Sequence, residues 1–451
     1  MKVSEVNIND LIMQAINCDC GHIHSIDLRS IIVGSNAIDE LPGIMKNANY
    51  KKAFLVSDKN TYEAAGKKVE DTLDKADIPY STLVFKEEEL IPDEKTVGSL
   101  CMAYDDTCDI MIAIGAGTIN DIVKFFSYKM KTSYFVVGTA PSMDGFISSS
   151  AAMTKNNLKT TYTTHVPEVF IGDLDILSKA PGPMIAAGFA DILGKYTCLQ
   201  DWKLSSIINE EYYCDYIVDL MTSAVNKTME SFDGLLERKN DAIEKLTYGL
   251  LISGIAMSFI GNSRPASGSE HHLSHFWEIL FQYEGKKPVL HGEKVGIGTI
   301  ISVKAYEYLC KSIEENMIGF DEIRQSHNFS YPKWESEMKR VYPSAWQEIV
   351  ELEKESLKNS KENWERRIEA TENKLDQIKK VCENLPASEK IEQMIKELDG
   401  PAKPVDVGID ESAVFNAILY AKEIRNRYTI LQLFWDLGLI EEFADIITAN
   451  K

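Results

Sequence analysis

Between residues 30 and 140, short apolar runs alternate with stretches whose apolar positions recur every three or four residues. Strands are predicted at 53–56, 80–85, 110–114 and 134–137, and helices at 61–75, 94–104 and 119–130. Ile110-Met111-Ile112-Ala113-Ile114 has no polar position, so both of its faces must be covered. Such strands between amphipathic helices predict a parallel α/β sheet. Residues 160–173 read as a hairpin or extended connection. Ala180-Pro181-Gly182-Pro183 then breaks the pattern and suggests a boundary. Beyond it the periodicity is helical, at 184–204, 210–230, 241–259, 272–283 and 292–315. The predicted architecture is an α/β domain, 1–180, followed by an all-α domain, 181–451.

An insert near 345–400 stands apart. Its apolar positions are sparse (Ile349, Leu352, Leu357, Trp364, Ile368, Leu375, Ile378) in a highly charged background. It reads as an exposed helical hairpin with some coiled-coil character, peripheral and not catalytic. Gly400-Pro401-Ala402-Lys403-Pro404 ends it, and a packed helical pattern resumes over 413–439.

Two domains suit 451 residues. The formal net charge of -21 argues against nonspecific binding to nucleic acid or anionic membranes. An anionic substrate would need local positive charge. Eight scattered cysteines suit free thiols in the cytoplasm better than a disulfide framework. Met1 to Glu5 does not open a signal peptide, and no apolar segment is expected to span a bilayer. In Cys18-Asp19-Cys20-Gly21-His22-Ile23-His24 the spacing is too tight for a zinc finger. The alternation of Cys20, His22 and His24 predicts one face of a strand.

Gly115-Ala116-Gly117-Thr118-Ile119-Asn120-Asp121 follows an apolar strand and opens a helix. Glycines let a backbone approach a pyrophosphate, and a helix N-terminus supplies N–H donors. Thr118 or Asn120 would cap the helix or touch phosphate; an ordinary strand-to-helix turn is the competing reading. Thr139-Ala140-Pro141-Ser142-Met143-Asp144 and Ser148 follow the next strand, where loops line the ligand crevice. Thr139, Ser142 and Ser148 are candidates for the nicotinamide half, and Asp144 for substrate hydroxyls. Asp58 ends the 53–56 strand, suited to ribose hydroxyls or to capping a helix.

Four of the eight histidines lie between His271 and His291. His271 and His275 are four apart, on one helical face; His272 points elsewhere and reads as a satisfied structural or surface histidine. With His291 and with Asp191 in a glycine-flanked helix, they form a mixed oxygen and nitrogen set. One carboxylate with two of these imidazoles suits zinc, nickel or iron and leaves a position for substrate.

These motifs, with Ser263-Arg264-Pro265-Ala266-Ser267-Gly268-Ser269-Glu270-His271, His291-Gly292-Glu293-Lys294 and the segment from Tyr420 to Leu439, resemble the glycerol-1-phosphate dehydrogenases. That family lies within the iron-dependent alcohol dehydrogenase and dehydroquinate synthase superfamily. The C-terminal segment and the insert look like its bacterial branch. The resemblance covers essentially the whole chain. It implies Asp191, His271 and His291 as ligands of nickel or zinc, and Asp144, Asp191 and His275 at the substrate. It assigns Gly117 to Asp121, Thr139 to Ser142 and Ser148 to NAD(H) or NADP(H). Ala116 and Thr118 stand where relatives often have Gly and Ser, a small change. The implied reaction is reversible reduction of dihydroxyacetone phosphate to sn-glycerol 1-phosphate, with a homodimer or larger homo-oligomer expected. Arg264 and Lys294 are candidates for the substrate phosphate from charge alone. A polyol dehydrogenase and a dehydroquinate synthase-type lyase are the alternatives on the same fold.

Overall fold

Six parallel strands form the sheet of the first unit: β1 (Ser30–Gly34), β2 (Ala53–Asp58), β3 (Tyr80–Phe85), β4 (Ile110–Gly115), β5 (Tyr134–Gly138) and β6 (Val169–Asp173). The computed structural model describes residues 8–155 and 158–449, so Met1 to Glu5 lie outside the described residues. The strand order is β1-β6-β5-β4-β2-β3. Strands β4, β5 and β6 are buried at every residue, which is why they lack alternation. β6 lies within the stretch read as a hairpin or connection. It pairs with β1 and β5 in parallel, while the true hairpin is Ser150–Lys155 with Leu158–Thr163.

From β2 the chain turns one way to β3; from β4 it runs the other way to β5 and β6. The carboxyl ends of β2 and β4 therefore flank a topological switch point, where open parallel sheets place their ligand crevice.

By contacts, the first unit comprises Met1–Ile192 with Asp219–Asn262, and the second Leu193–Val218 with Ser263–Lys451. The division differs from a single boundary near 180. Pro183 sits in the first turn of the 28-residue helix Gly182–Asn209 and starts it, so the proline-rich break is a helix entry. Helix Asn240–Ile260 is the one described helix long and apolar enough to cross a bilayer, contrary to the sequence expectation. Ile243, Leu246, Leu250, Leu251 and Ile255 are buried along it, as in a core helix. Near the N-terminus, Ile16–Asn17 and Ile23–His24 pair antiparallel. Cys20 and His22 therefore sit in the connecting turn and not on a strand face.

The second unit is helical. Trp277, Phe276, Ile297, Tyr306, Leu433 and Phe434 lie in its core. The charged insert is part of that core and is not an exposed hairpin. Helices Trp346–Ser356, Lys361–Asn373 and Leu375–Cys382 bury Ile349, Trp364, Ile368 and Ile378. Arg367 is buried and grips both Asp436 oxygens at 2.7 Å. A narrow apolar stripe faces inward while the charged residues remain solvated. Trp364 donates Nε1–H to Asp436 O at 3.0 Å and stacks on His327 at 3.7 Å between ring centroids. Trp364→Ala should therefore cost about 3–5 kcal/mol, read as a lower urea midpoint; an unchanged midpoint would return the insert to the periphery.

Candidate functional site

At the carboxyl end of β4 the helix Gly117–Met130 begins, with Ala116 at its N-cap and no side-chain cap. Neither Thr118 nor Asn120 caps it. The first-turn N–H groups thus retain donor capacity. A Cβ built on Gly117 would touch only Met143, at 3.5 Å and beyond, so packing does not require this glycine. Deeper in the helix the motif residues support the neighbouring loop. Asn120 donates its amide to Gly145 O and Phe146 O at 3.3 and 3.4 Å, Asp121 accepts from Ala152 N at 3.3 Å, and Ile119 is buried.

The same loop is held by Lys124, which the sequence reading missed. Its fully buried ammonium donates to Gly145 O (2.8 Å), Ser150 O (3.0 Å) and Ser148 Oγ (3.2 Å). Burial pulls its pKa down to about 8, against the opposing pull of Asp121 and Asp144. Thr139 N donates to Gly115 O at 3.1 Å and Ser142 N to Ala140 O at 3.0 Å; Pro141, like these, is buried. At the end of β2, Asp58 accepts from Thr61 N at 2.8 Å in a capping box, the helix-cap role.

Asp144 sits in that loop, and its Oδ2 accepts from Ser253 Oγ at 2.8 Å. Its N–H donates to Asp191 Oδ2 at 3.0 Å. Gly188 permits this approach: a Cβ there would lie 1.8 Å from Pro141 O.

Asp191, His271 and His291 each offer a ligand atom, all within 4.8 Å of one another. Asp191 is fully buried on helix Gly182–Asn209. Helix Ser269–Glu284 presents His271, His275 and Glu278 on one face, through spacings of four and three. The ring centroids of His271, His275 and His291 are 5.1 to 6.0 Å apart. Carboxylates engage their Nδ1 sides. His271 Nδ1 lies 2.7 Å from Glu270 Oε1, and His275 Nδ1 2.9 Å from Glu278 Oε2; His291 Nδ1 is 3.6 Å from Glu278 Oε1. For His271 and His275 a carboxylate acceptor places N–H on Nδ1 and leaves Nε2 with a lone pair. Such histidine–carboxylate pairs orient metal ligands. Glu270 also accepts from Thr197 Oγ1 and Gly268 N, both at 2.6 Å, while burial pushes its pKa up. Glu270 and Glu278 were not singled out in the sequence; only their spacing from His271 and His275 hinted at them.

The two cations expected at a substrate phosphate each have protein partners. Buried Arg264 donates Nη2–H to Tyr428 O and Glu211 Oε2 at 2.9 Å and to Asp201 O at 3.2 Å. Lys294 donates to Val289 O at 2.7 Å and lies 3.3 Å from Glu278. Arg425 and Arg427 are two further cations, both partly exposed. Arg427 donates to Ser263 Oγ at 3.1 Å and to Ser267 O at 3.3 Å, and Arg425 Nε is buried with no acceptor among the described residues. Burial lowers both pKa values, that of Arg427 to about 9. His272 is buried with neither ring nitrogen partnered among the described residues, so it is not the satisfied histidine expected. Burial first, then Arg425 and Arg427, hold it neutral.

A family model described as iron-containing alcohol dehydrogenase matches residues 32–181. The chain is 32% identical over 438 residues to the glycerol-1-phosphate dehydrogenase [NAD(P)+] of Geobacillus thermodenitrificans, covering 96% of this chain and 99% of the relative. The enzyme of the same name from Pyrococcus furiosus is 33% identical over 290 residues, 64% of this chain and 82% of the relative. Among solved structures, the alcohol dehydrogenase of Oenococcus oeni is similar with a TM-score of 0.61 at 15% identity, covering 94% of this chain and 98% of that one. Glycerol dehydrogenase from Schizosaccharomyces pombe gives a TM-score of 0.57 at 13% identity, covering 94% and 91%. At those identities the structural likeness shows the fold alone.

Proposed function

The chain belongs to the glycerol-1-phosphate dehydrogenase family, and from that premise we propose that it reduces dihydroxyacetone phosphate reversibly to sn-glycerol 1-phosphate with NADH or NADPH. The observation that carries the reading is the buried Asp191 carboxylate grouped with the imidazoles of His271 and His291, that of His271 oriented by Glu270. This donor set fits one divalent cation, zinc or nickel. When bound, the cation supplies a Lewis acid for a carbonyl oxygen and the nicotinamide supplies hydride.

The chain's own residues bind, orient and move protons. The Asp144 N–H fixes the Asp191 carboxylate, and the Asp144 side chain is assigned to a substrate hydroxyl. His275, with Nδ1 held by Glu278, carries or returns a proton at Nε2. The N–H groups opening helix Gly117–Met130 cradle the pyrophosphate. Thr139, Ser142 and Ser148 are assigned to the nicotinamide half, and Asp58 to a ribose hydroxyl. Arg425 and Arg427 replace Arg264 and Lys294 as the phosphate cations, with neutral His272 as a further donor. A cytoplasmic homo-oligomer completes the proposal, its size readable by native mass spectrometry.

The deciding assay compares dihydroxyacetone phosphate with dihydroxyacetone. A charge-assisted contact to phosphate contributes about 1.5–3 kcal/mol, roughly ten- to a hundredfold, so kcat/KM should favour the phosphorylated ketone by at least that ratio. Arg425→Gln should erode the preference mainly through KM for that ketone. Equal efficiency on both ketones would favour a polyol dehydrogenase, and turnover without net NADH consumption a lyase.

Glu278→Gln tests the support of the metal site. Losing an outer-shell partner typically costs roughly 10- to 100-fold in metal affinity or activity. Metal retention after dialysis against graded chelator reads the change; affinity equal to that of the unmodified chain would remove Glu278 from the site.

A further inference from the structure

The N-terminal hairpin carries a second set of metal-ligand side chains, unused by the dehydrogenase chemistry and softer than the Asp191 set. Cys18, Cys20 and His24 offer two sulfurs and an imidazole nitrogen within 4.8 Å of one another, and Cys214 falls in the same group. None of these cysteines forms a disulfide. The hairpin builds the arrangement. Its strands place His24 opposite Ile16. Gly21 N donates to Cys18 O at 3.0 Å and Cys18 N to His22 O at 3.1 Å, closing a tight turn. Gly21 supplies the left-handed residue that turn requires, at φ 86°. That turn lets Cys-x-Cys and a histidine four residues on converge despite spacing too tight for a zinc finger.

The imidazole is oriented as a ligand would be. His24 is fully buried and stacks on Phe259, 5.5 Å between centroids. Its Nδ1 lies 3.3 Å from Phe259 O, an acceptor only, so Nδ1 carries the proton and Nε2 the lone pair. Nε2 faces Cys20 Sγ at 3.4 Å. A thiol–imidazole hydrogen bond would account for that pair alone. It would not account for Cys18 and Cys214 in the same small volume. Cys214 itself is buried at the start of helix Asp215–Glu230, its carbonyl accepting from Val218 N at 3.1 Å.

We propose that Cys18, Cys20, His24 and Cys214 bind one zinc-type divalent cation in a closed three-sulfur, one-nitrogen site. Four protein ligands leave no position for substrate, so the role is structural: the ion clips the hairpin in place. On binding, the thiols lose their protons to solvent and no electrons move.

The test is cobalt substitution of the full-length chain, with metal counted per chain. Two equivalents are expected, with thiolate-to-cobalt charge-transfer absorption from one of them. Cys18→Ser with Cys20→Ser should remove that absorption and one equivalent, leaving the other. His271→Ala should do the reverse, keeping the absorption; this arm decides the matter if the serine variant does not fold. A single equivalent without charge transfer in the unmodified chain would overturn the proposal, as would disulfide formation among these cysteines under reducing purification.

Discussion

His271→Ala should strip divalent metal and turnover from the protein together. His271 is one of only three protein ligands proposed for the active cation, and its ring lies 5.1 Å from that of His291. Two ligands cannot close a site that three hold with a position left for substrate. The variant also leaves the buried Glu270 carboxylate without its imidazole partner, though Thr197 and Gly268 N still donate to it. Losing that hydrogen bond adds a stability cost of about 1–3 kcal/mol. The turnover loss should exceed the roughly 10- to 100-fold typical of an outer-shell change. Metal per chain by mass spectrometry and steady-state turnover are the two readouts. NADH affinity is the control, because the Gly117 turn contains no metal ligand. Full metal occupancy with normal turnover in this variant would take His271 out of the site.

What the sequence made legible follows from how local each signal is. Strand β4 was readable because Ile110 to Ile114 is apolar at every position and Gly115 ends it. Val169–Asp173 was not. The β-prone Thr160 to Thr163 sits just before it, and one extended connection fits both. Trp364 and Ile368 belong to a stripe so thin that composition hid it, and only packing reveals the bidentate Arg367–Asp436 pair beneath. The histidines proposed as ligands were visible through spacing and type. The carboxylates behind them were not, because the role of Glu278 depends on helix His291–Glu314 bringing His291 and Lys294 towards it. The partners of Arg264 were hidden for the same reason. Its formal charge is written in the sequence, but Glu211 and the carbonyls that absorb it lie 53 to 164 residues away.

Gly117 separates cofactor binding from folding more cleanly than any other position in the nucleotide turn. A Cβ at Gly117 meets only Met143, at 3.5 Å and beyond, an ordinary contact. At Gly115 the same atom would meet Ile119 at 2.7 Å, and at Gly188 it would meet Pro141 O at 1.8 Å. Gly115 and Gly188 are therefore glycine because the protein packs there. Gly117 is partly exposed at the opening of a helix whose first N–H groups have no side-chain cap. Its missing side chain leaves room for a pyrophosphate to approach the backbone. Gly117→Val should accordingly weaken NADH binding by at least about tenfold, near 1.4 kcal/mol. Metal content should stay at the unmodified level, and the melting temperature should move far less than in Gly188→Ala. Gly117→Ala should fall between the unmodified chain and Gly117→Val in affinity, because obstruction grows with side-chain size. Fluorescence titration with NADH measures the affinities and thermal melts separate them from misfolding. If Gly117→Val binds NADH normally, the turn is an ordinary strand-to-helix connection and the pyrophosphate lies elsewhere.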